Sequence, residues 1–163
     1  MAPDSTNTNL VPLNSKGRTY LAAIFDVLGT VTYKVGHKGD VIAKLSVLIP
    51  PELTAFYRSA YGGRATKDGW RVDGPAADRF AEEIRPFAPT KQPQLDLYLK
   101  GRRLVLGRKR VRRNGKWITA PLSEADKQRW ANIEIQLRDL KRRTSPKPRA
   151  VMTIPAVFLR RAN

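Results

Sequence analysis

Residues Tyr20 to Val31 read Tyr-Leu-Ala-Ala-Ile-Phe-Asp-Val-Leu-Gly-Thr-Val. A stretch with so few polar side chains is not a surface helix. Leu21, Ile24 and Phe25 recur at helical spacing. Ala22 and Ala23 are small enough to let a second helix backbone come close. Gly29 is a helix stop, as a residue tolerant of positive φ. Thr30, Val31, Thr32 and Tyr33 follow, all strand-preferring types. The expectation is a buried helix that runs directly into a strand, and the remaining elements must be laid against it.

The rest of the chain is organised by charge. Thirty-one Lys and Arg face fourteen Asp and Glu, a net of +17, and the excess is uneven. Residues 1–90 carry a net of +2, residues 91–149 a net of +13, and residues 150–163 add two arginines. Such a field repels itself, and a polyanion relieves it by releasing counterions. Nucleic acid is the expected partner, with a solvated basic face or an anionic membrane surface as the plainer alternative. With no cysteine there is neither a disulfide nor a cysteine-based zinc site, and His37 is the single histidine, expected as an exposed strand-end residue. No apolar run approaches the ~20 residues of a membrane span. At 163 residues the chain is expected to form one domain with its own core.

In order, residues 1–16 are polar and read as a flexible arm, and the buried helix spans about Lys16 to Leu28. Thr30–Val35 and Val41–Ile49 alternate as two strands around Gly36-His37-Lys38-Gly39-Asp40. Alternation puts Val31 and Tyr33 on one face and Thr30, Thr32 and Lys34 on the other, with Lys44 and Ser46 sharing a face of the second strand. Pro51 and Glu52 open a second helix with Leu53, Phe56, Tyr57 and Ala60 as its stripe, stopped by Gly62-Gly63. A second hairpin turns at Asp68-Gly69 and carries Arg64, Lys67 and Arg71. A third helix starts near Pro75, contains Asp78, Ala81, Ile84 and Phe87, and ends before Pro86 or Pro89. A helix over 95–107 becomes basic at Lys100, Arg102 and Arg103. Lys100 to Lys116 holds nine cations and no acid, with a hairpin on Asn114-Gly115. Ser123 and Asp126 mark the start of a last helix, with Trp130, Ile133, Leu137 and Leu140 as its stripe and Lys141-Arg142-Arg143 at its end. Residues 144–163 read as a linker and an extended apolar tail interrupted by Pro155.

The opening helix, Leu21-Ala22-Ala23-Ile24-Phe25-Asp26-Val27-Leu28-Gly29, resembles the signature helix of the LAGLIDADG homing endonucleases. The order helix, hairpin, helix, hairpin, helix is that of the single-motif members, and Ile84-Arg-Pro-Phe-Ala-Pro-Thr-Lys91-Gln-Pro-Gln94 is similar to the family's passage into the next helix. The resemblance covers about Tyr20 to Leu99. It implies an α+β fold, an αββαββα core over 17–99 with a four-stranded antiparallel saddle sheet. The chain would add a basic hairpin over 100–121, a helix over 122–143 and a tail over 144–163. It implies a homodimer packed through the first helix, for which Ala22, Ala23 and Phe25 are the candidates, or else protein neighbours in a ribonucleoprotein.

The motif is altered where the resemblance places the metal-holding carboxylate. Asp26 keeps the first acid, but Leu28 stands at the second, and leucine cannot ligate a hard cation. The expected function is nucleic-acid binding without cleavage, on DNA or structured RNA, and no cofactor is expected. Lys34, Lys38, Lys44, Arg64, Lys67, Arg71 and Lys91 would bind from the core. Arg102, Arg103, Arg108, Lys109, Arg110, Arg112, Arg113 and Lys116 would bind from the basic segment. Lys91 falls on a lysine that the family keeps near the scissile phosphates; taken alone it reads as a surface charge. Trp117 either stacks on a base or packs inward. The alternatives are an active magnesium-dependent endonuclease, in which another carboxylate such as Asp40 reaches the pocket, and an intron RNA maturase. The basic hairpin, arm and tail resemble ribosomal-protein extensions in composition alone.

Overall fold

The computed structural model describes residues 13–36, 41–108, 110–120 and 123–144, with the backbone alone at 110, 117, 118 and 144. Residues 1–12 of the expected arm, His37, Lys38, Asp40, Lys109 and residues 145–163 of the tail lie outside these residues, as do the side chains of Arg110 and Trp117, whereas Ser15 and Lys16 of the arm are already helical. The elements run α1 (Ser15–Leu28), β1 (Gly29–Val35), β2 (Val41–Leu48), α2 (Pro51–Tyr61), β3 (Arg64–Thr66), β4 (Gly69–Asp73) and α3 (Gly74–Ile84). A 3-10 turn at Arg85–Phe87 leads into α4 (Gln92–Leu106), β5 (Arg110–Arg113), β6 (Lys116–Thr119) and α5 (Glu124–Thr144). Strands β1 to β4 form one antiparallel sheet in the order β1-β2-β4-β3, and β5 and β6 form a separate two-stranded ribbon.

The core lies between the helices and one face of the sheet. Phe80 of α3 sits at its centre, with the rings of Phe25, Tyr57, Tyr61 and Trp70 around it at 4.8–5.9 Å, mostly edge to face. Each such ring pair adds about 0.5–1.5 kcal/mol beyond its burial. The polar tips are paired: Tyr57 donates to the Leu21 carbonyl at 2.7 Å, Trp70 Nε1 to the Gly62 carbonyl at 2.8 Å, and Tyr61 to Glu83 at 2.9 Å. Burial pushes the hydroxyl pKa of Tyr57 and Tyr61 well above the ordinary tyrosine value. On α2 the buried line is Thr54, Tyr57, Ala60 and Tyr61, while Phe56 is 37% exposed. The expected stripe was therefore rotated, because Tyr61 reaches the core that Phe56 turns away from.

Two glycines have reasons other than those expected. Gly29 has φ −72°, an ordinary value, and its N–H donates to the Phe25 carbonyl. A Cβ there would overlap that carbonyl and lie 2.6 Å from the Phe25 ring. Close approach, not handedness, requires glycine. In the second hairpin the turn residues are Lys67-Asp68, not Asp68-Gly69. Gly69 already belongs to β4, at φ +153°, where a Cβ would meet the Val47 carbonyl oxygen. The Asn114-Gly115 turn is as expected, with both residues at positive φ. So is the start of α5: the Ser123 hydroxyl accepts from the Asp126 N–H at 3.1 Å and donates to the Asp126 carboxylate at 2.7 Å.

Candidate nucleic-acid interface

The helices cover one face of the four-stranded sheet and leave the other open. Val31, Tyr33, Ala43, Leu45, Val47, Trp70 and Val72 point into the core. The alternate residues face outward, and the register lines them up across strands. Thr30, Ser46, Arg71 and Arg64 form one row through all four strands. Thr32, Lys44 and Asp73 form the next, and Lys34 lies beside Ile42. Four cations thus share this face with one carboxylate. Arg64 and Arg71 are directly opposed, an arrangement that costs free energy unless an anion intervenes. Asp73 offsets Arg64 only at 3.7 Å, with both side chains more than half exposed. The Nε–H of Arg71 is buried with no acceptor among the described residues. Lys67 is exposed on the adjoining turn.

The foot of α1 brings more lysines to the edge of this face. One oxygen of Asp26 accepts the Lys91 backbone N–H at 2.8 Å, which ties α1 to the start of α4. The Lys91 ammonium is held below the ordinary lysine pKa, chiefly by partial burial, against the raising effect of Asp26. Lys141 of α5 is lowered by burial and then by the charges of Lys91 and Lys34. Sequence reading missed Lys141. It placed this residue only among the cations that favour a helix C-terminus, and no local pattern reveals that the last turns of α5 lie beside β1. α5 is held there by Glu134, which accepts the N–H of Val35 at 3.0 Å.

The basic segment divides. Arg102 is not available as a contact: it makes a bidentate pair with Asp78 at 2.7 and 2.9 Å, with side chains only 14% and 18% exposed. Tyr98 donates to the same carboxylate at 3.3 Å. Arg108 donates to the Ala120 carbonyl at 2.7 Å and lies 5.5 Å from the centre of the Trp130 ring, so it anchors the hairpin base to α5. Arg103 is exposed on α4. Arg112, Arg113 and Lys116 are exposed on the hairpin, and Arg113 and Lys116 are a second pair of directly opposed cations. α4 runs to Leu106, within one residue of the end expected for the helix over 95–107, so the β5–β6 hairpin takes only the later part of the basic segment.

Of the helix-packing candidates, Ala22 and Phe25 are fully buried within the chain's own core, and Ala23 is exposed. Ala23 shares the open face of α1 with Tyr20, at 52% exposure, and Val27, at 77%.

Two solved structures of the homing endonuclease I-CvuI match this arrangement. One is in complex with its target in the presence of calcium: TM-score 0.60, 18% identity, covering 85% of this chain and 90% of that one. The other is in complex with the I-CreI target in the presence of magnesium, with the DNA not cleaved: TM-score 0.58, 17% identity and the same coverage. The chain has the homing-endonuclease fold. No family model and no curated protein matches it by sequence. At the foot of α1, the two positions that the resemblance gives to acids carry Asp26 and Leu28. Leu28, 49% exposed, offers hydrocarbon. Asp26 has one oxygen engaged by Lys91. Among the described residues no group of three or more His, Cys, Asp and Glu stands together. Likewise, no described helix is long and apolar enough to cross a membrane.

Proposed function

We propose that this chain is a nucleic-acid-binding protein on a homing-endonuclease scaffold, one that holds duplex DNA on its open sheet face and does not cut it. The observation that carries this reading is the pairing of like charges. Arg64 opposite Arg71, and Arg113 opposite Lys116, are strand positions where cations repel in the free protein. Phosphate oxygens between them turn repulsion into attraction, and arginine forks suit those oxygens. The I-CvuI structures, solved with their targets, support DNA as the polymer. Leu28 supports binding without hydrolysis, since metal-assisted cleavage needs an oxygen ligand to activate water and steady the leaving oxygen. No cofactor is required for the binding role. Two copies pair through the open face of α1, where Tyr20, Ala23 and Val27 offer a small-residue apolar surface.

The test is incubation of the purified protein with labelled duplex DNA and labelled structured RNA, with and without magnesium. Binding of duplex without strand breaks is expected. Magnesium-dependent breaks that vanish in Asp26→Asn would replace this reading with the endonuclease. Preference for structured RNA would favour the maturase or ribonucleoprotein role. Leu28→Asp is the companion variant: gain of magnesium-dependent cutting would mean that the missing acid is all that separates this chain from a nuclease.

A further inference from the structure

β1 is an edge strand of the sheet, and α5 packs beside it. Between them lies a small hollow of about 110 Å³, lined by Thr32, Lys34, Glu134, Leu137, Arg138 and Lys141. Tyr33 also borders it, with its hydroxyl donating to the Gly101 carbonyl at 3.4 Å. Thr32 and Lys34 are outward residues of β1, so the hollow opens at the rim of the open sheet face. A seat for phosphate would need cations alone. This one also holds a carboxylate and a lysine partly withdrawn from water. Glu134 accepts from the Val35 N–H at 3.0 Å and, through its other oxygen, from Arg138 at 3.3 Å, which fixes the carboxylate in place. Lys141 is half-buried, and its ammonium is lowered by that burial and then by the charges of Lys91 and Lys34. Desolvation beside other cations is what makes a lysine amine a nucleophile.

We propose that Lys141 is the nucleophile of an abasic-site lyase, attacking the sugar aldehyde of a baseless nucleotide seated in this hollow. The proposal rests on the DNA-binding reading, since a duplex must lie on the sheet face to bring the sugar to β1. Intact DNA offers an amine no aldehyde and stays uncut; a deoxyribose that has lost its base opens to one at C1′. Such a nucleotide has also lost its stacking, so it leaves the duplex at little cost. The neutral Nζ of Lys141 bonds to C1′, and with one added proton the carbonyl oxygen departs as water, leaving an iminium. That positive charge draws electrons from C2′. Glu134, whose oxygens each keep a second lone pair, takes the C2′ proton. A C2′–C3′ double bond forms as the C3′–O bond breaks, and the electron pair leaves with the 3′ phosphate. Lys34, exposed beside the hollow, is placed to hold that phosphate. Water then hydrolyses the iminium and returns the amine.

The test uses the full-length protein in EDTA, which removes metal-dependent breaks, at concentrations that saturate the duplex, so that differences in affinity drop out. The probe is a labelled duplex with one abasic site, incubated with sodium borohydride, which reduces the imine to a stable amine. A second duplex carries tetrahydrofuran in place of the abasic sugar; it has no aldehyde, and it reports binding by anisotropy. A covalent adduct is expected with the abasic duplex alone, and strand breaks at the abasic site when borohydride is left out. Peptide mapping of the adduct on the unaltered protein should place it on Lys141. Lys141→Arg, which keeps the charge but forms no imine, should be trapped at least about tenfold more slowly. An adduct on other lysines, or an equal rate in Lys141→Arg, overturns the proposal, because the aldehyde would then be meeting a basic surface at large. Binding of the tetrahydrofuran duplex with no adduct on the abasic one overturns it too and leaves the binding role standing. If neither duplex is bound, both readings fall.

Discussion

The like-charge pair on the hairpin makes the sharpest quantitative prediction. Arg113 and Lys116 are register partners, so their side chains emerge on the same face of the β5–β6 ribbon, while Arg112, one residue along, emerges on the other. Both are exposed, and no ion pair is found for either among the described residues. Each can neutralise one phosphate and release the counterions it carried. For duplex DNA the slope of log affinity against log salt changes by about 0.9 per phosphate contact. Arg113→Gln with Lys116→Gln should therefore flatten the slope by about 1.8, and each single change by about 0.9. Between about 50 and 200 mM salt the double variant should lose about tenfold less affinity than the parent. Fluorescence anisotropy with a labelled duplex, titrated at four or more salt concentrations, reads the slope directly. Removing one of two opposed cations also relieves repulsion in the free hairpin, so the melting temperature should hold or rise slightly. An unchanged slope with an intact hairpin would refute the reasoning, because the two cations would then be solvated whether or not nucleic acid is bound.

Arg102→Gln should behave in the opposite way: it breaks the pair with Asp78 and should cost about 2–3 kcal/mol, a melting shift of about 5–10 °C, with the salt slope unchanged. Gly101→Ala places a methyl against the Tyr33 ring in a buried position and should destabilise by about 1–3 kcal/mol in denaturant titration. Stability and affinity should respond to alkaline pH with opposite signs. Lys91 and Lys141 lose their protons below the ordinary lysine value of 10.5, while the unfolded chain keeps them. Stability should rise as pH climbs towards about 10, while affinity for DNA falls. Past that point stability should drop, because unfolded tyrosines ionise near 10.0 while Tyr33 is pushed up to about 12 and Tyr57, Tyr61 and Tyr98 higher still. Thermal melts and anisotropy across that range check both signs.

Much of the framework was legible residue by residue, because short-range rules govern it. The apolar run before Gly29, the alternation of β1 and β2, Pro51 at a helix start, the Asn114-Gly115 turn and the Ser123–Asp126 cap each act within a few residues. Each appeared where expected to within one or two positions. The errors were local as well: a turn shifted by one residue at Gly69, and a helix stripe rotated from Phe56 to Tyr61. In both cases a tertiary neighbour, the Val47 carbonyl or the Phe80 ring, outweighed the local preference.

By itself, the order of residues determined that the chain is basic and where its helices and hairpins begin, and it put Leu28 where the resemblance places an acid. It did not separate one cation from another, since every lysine and arginine in a basic segment looks alike until its neighbours are known. Tertiary structure decided that Arg102 is consumed by Asp78, 24 residues away, and Arg108 by the hairpin base. It tied Asp26 to Lys91 across 65 residues. Glu134, 99 residues from Val35, brings α5 and Lys141 to the edge of β1. A charge is free for a partner only if folding leaves it without an opposite charge nearby, and those opposites come from parts of the chain that only the packed core brings together.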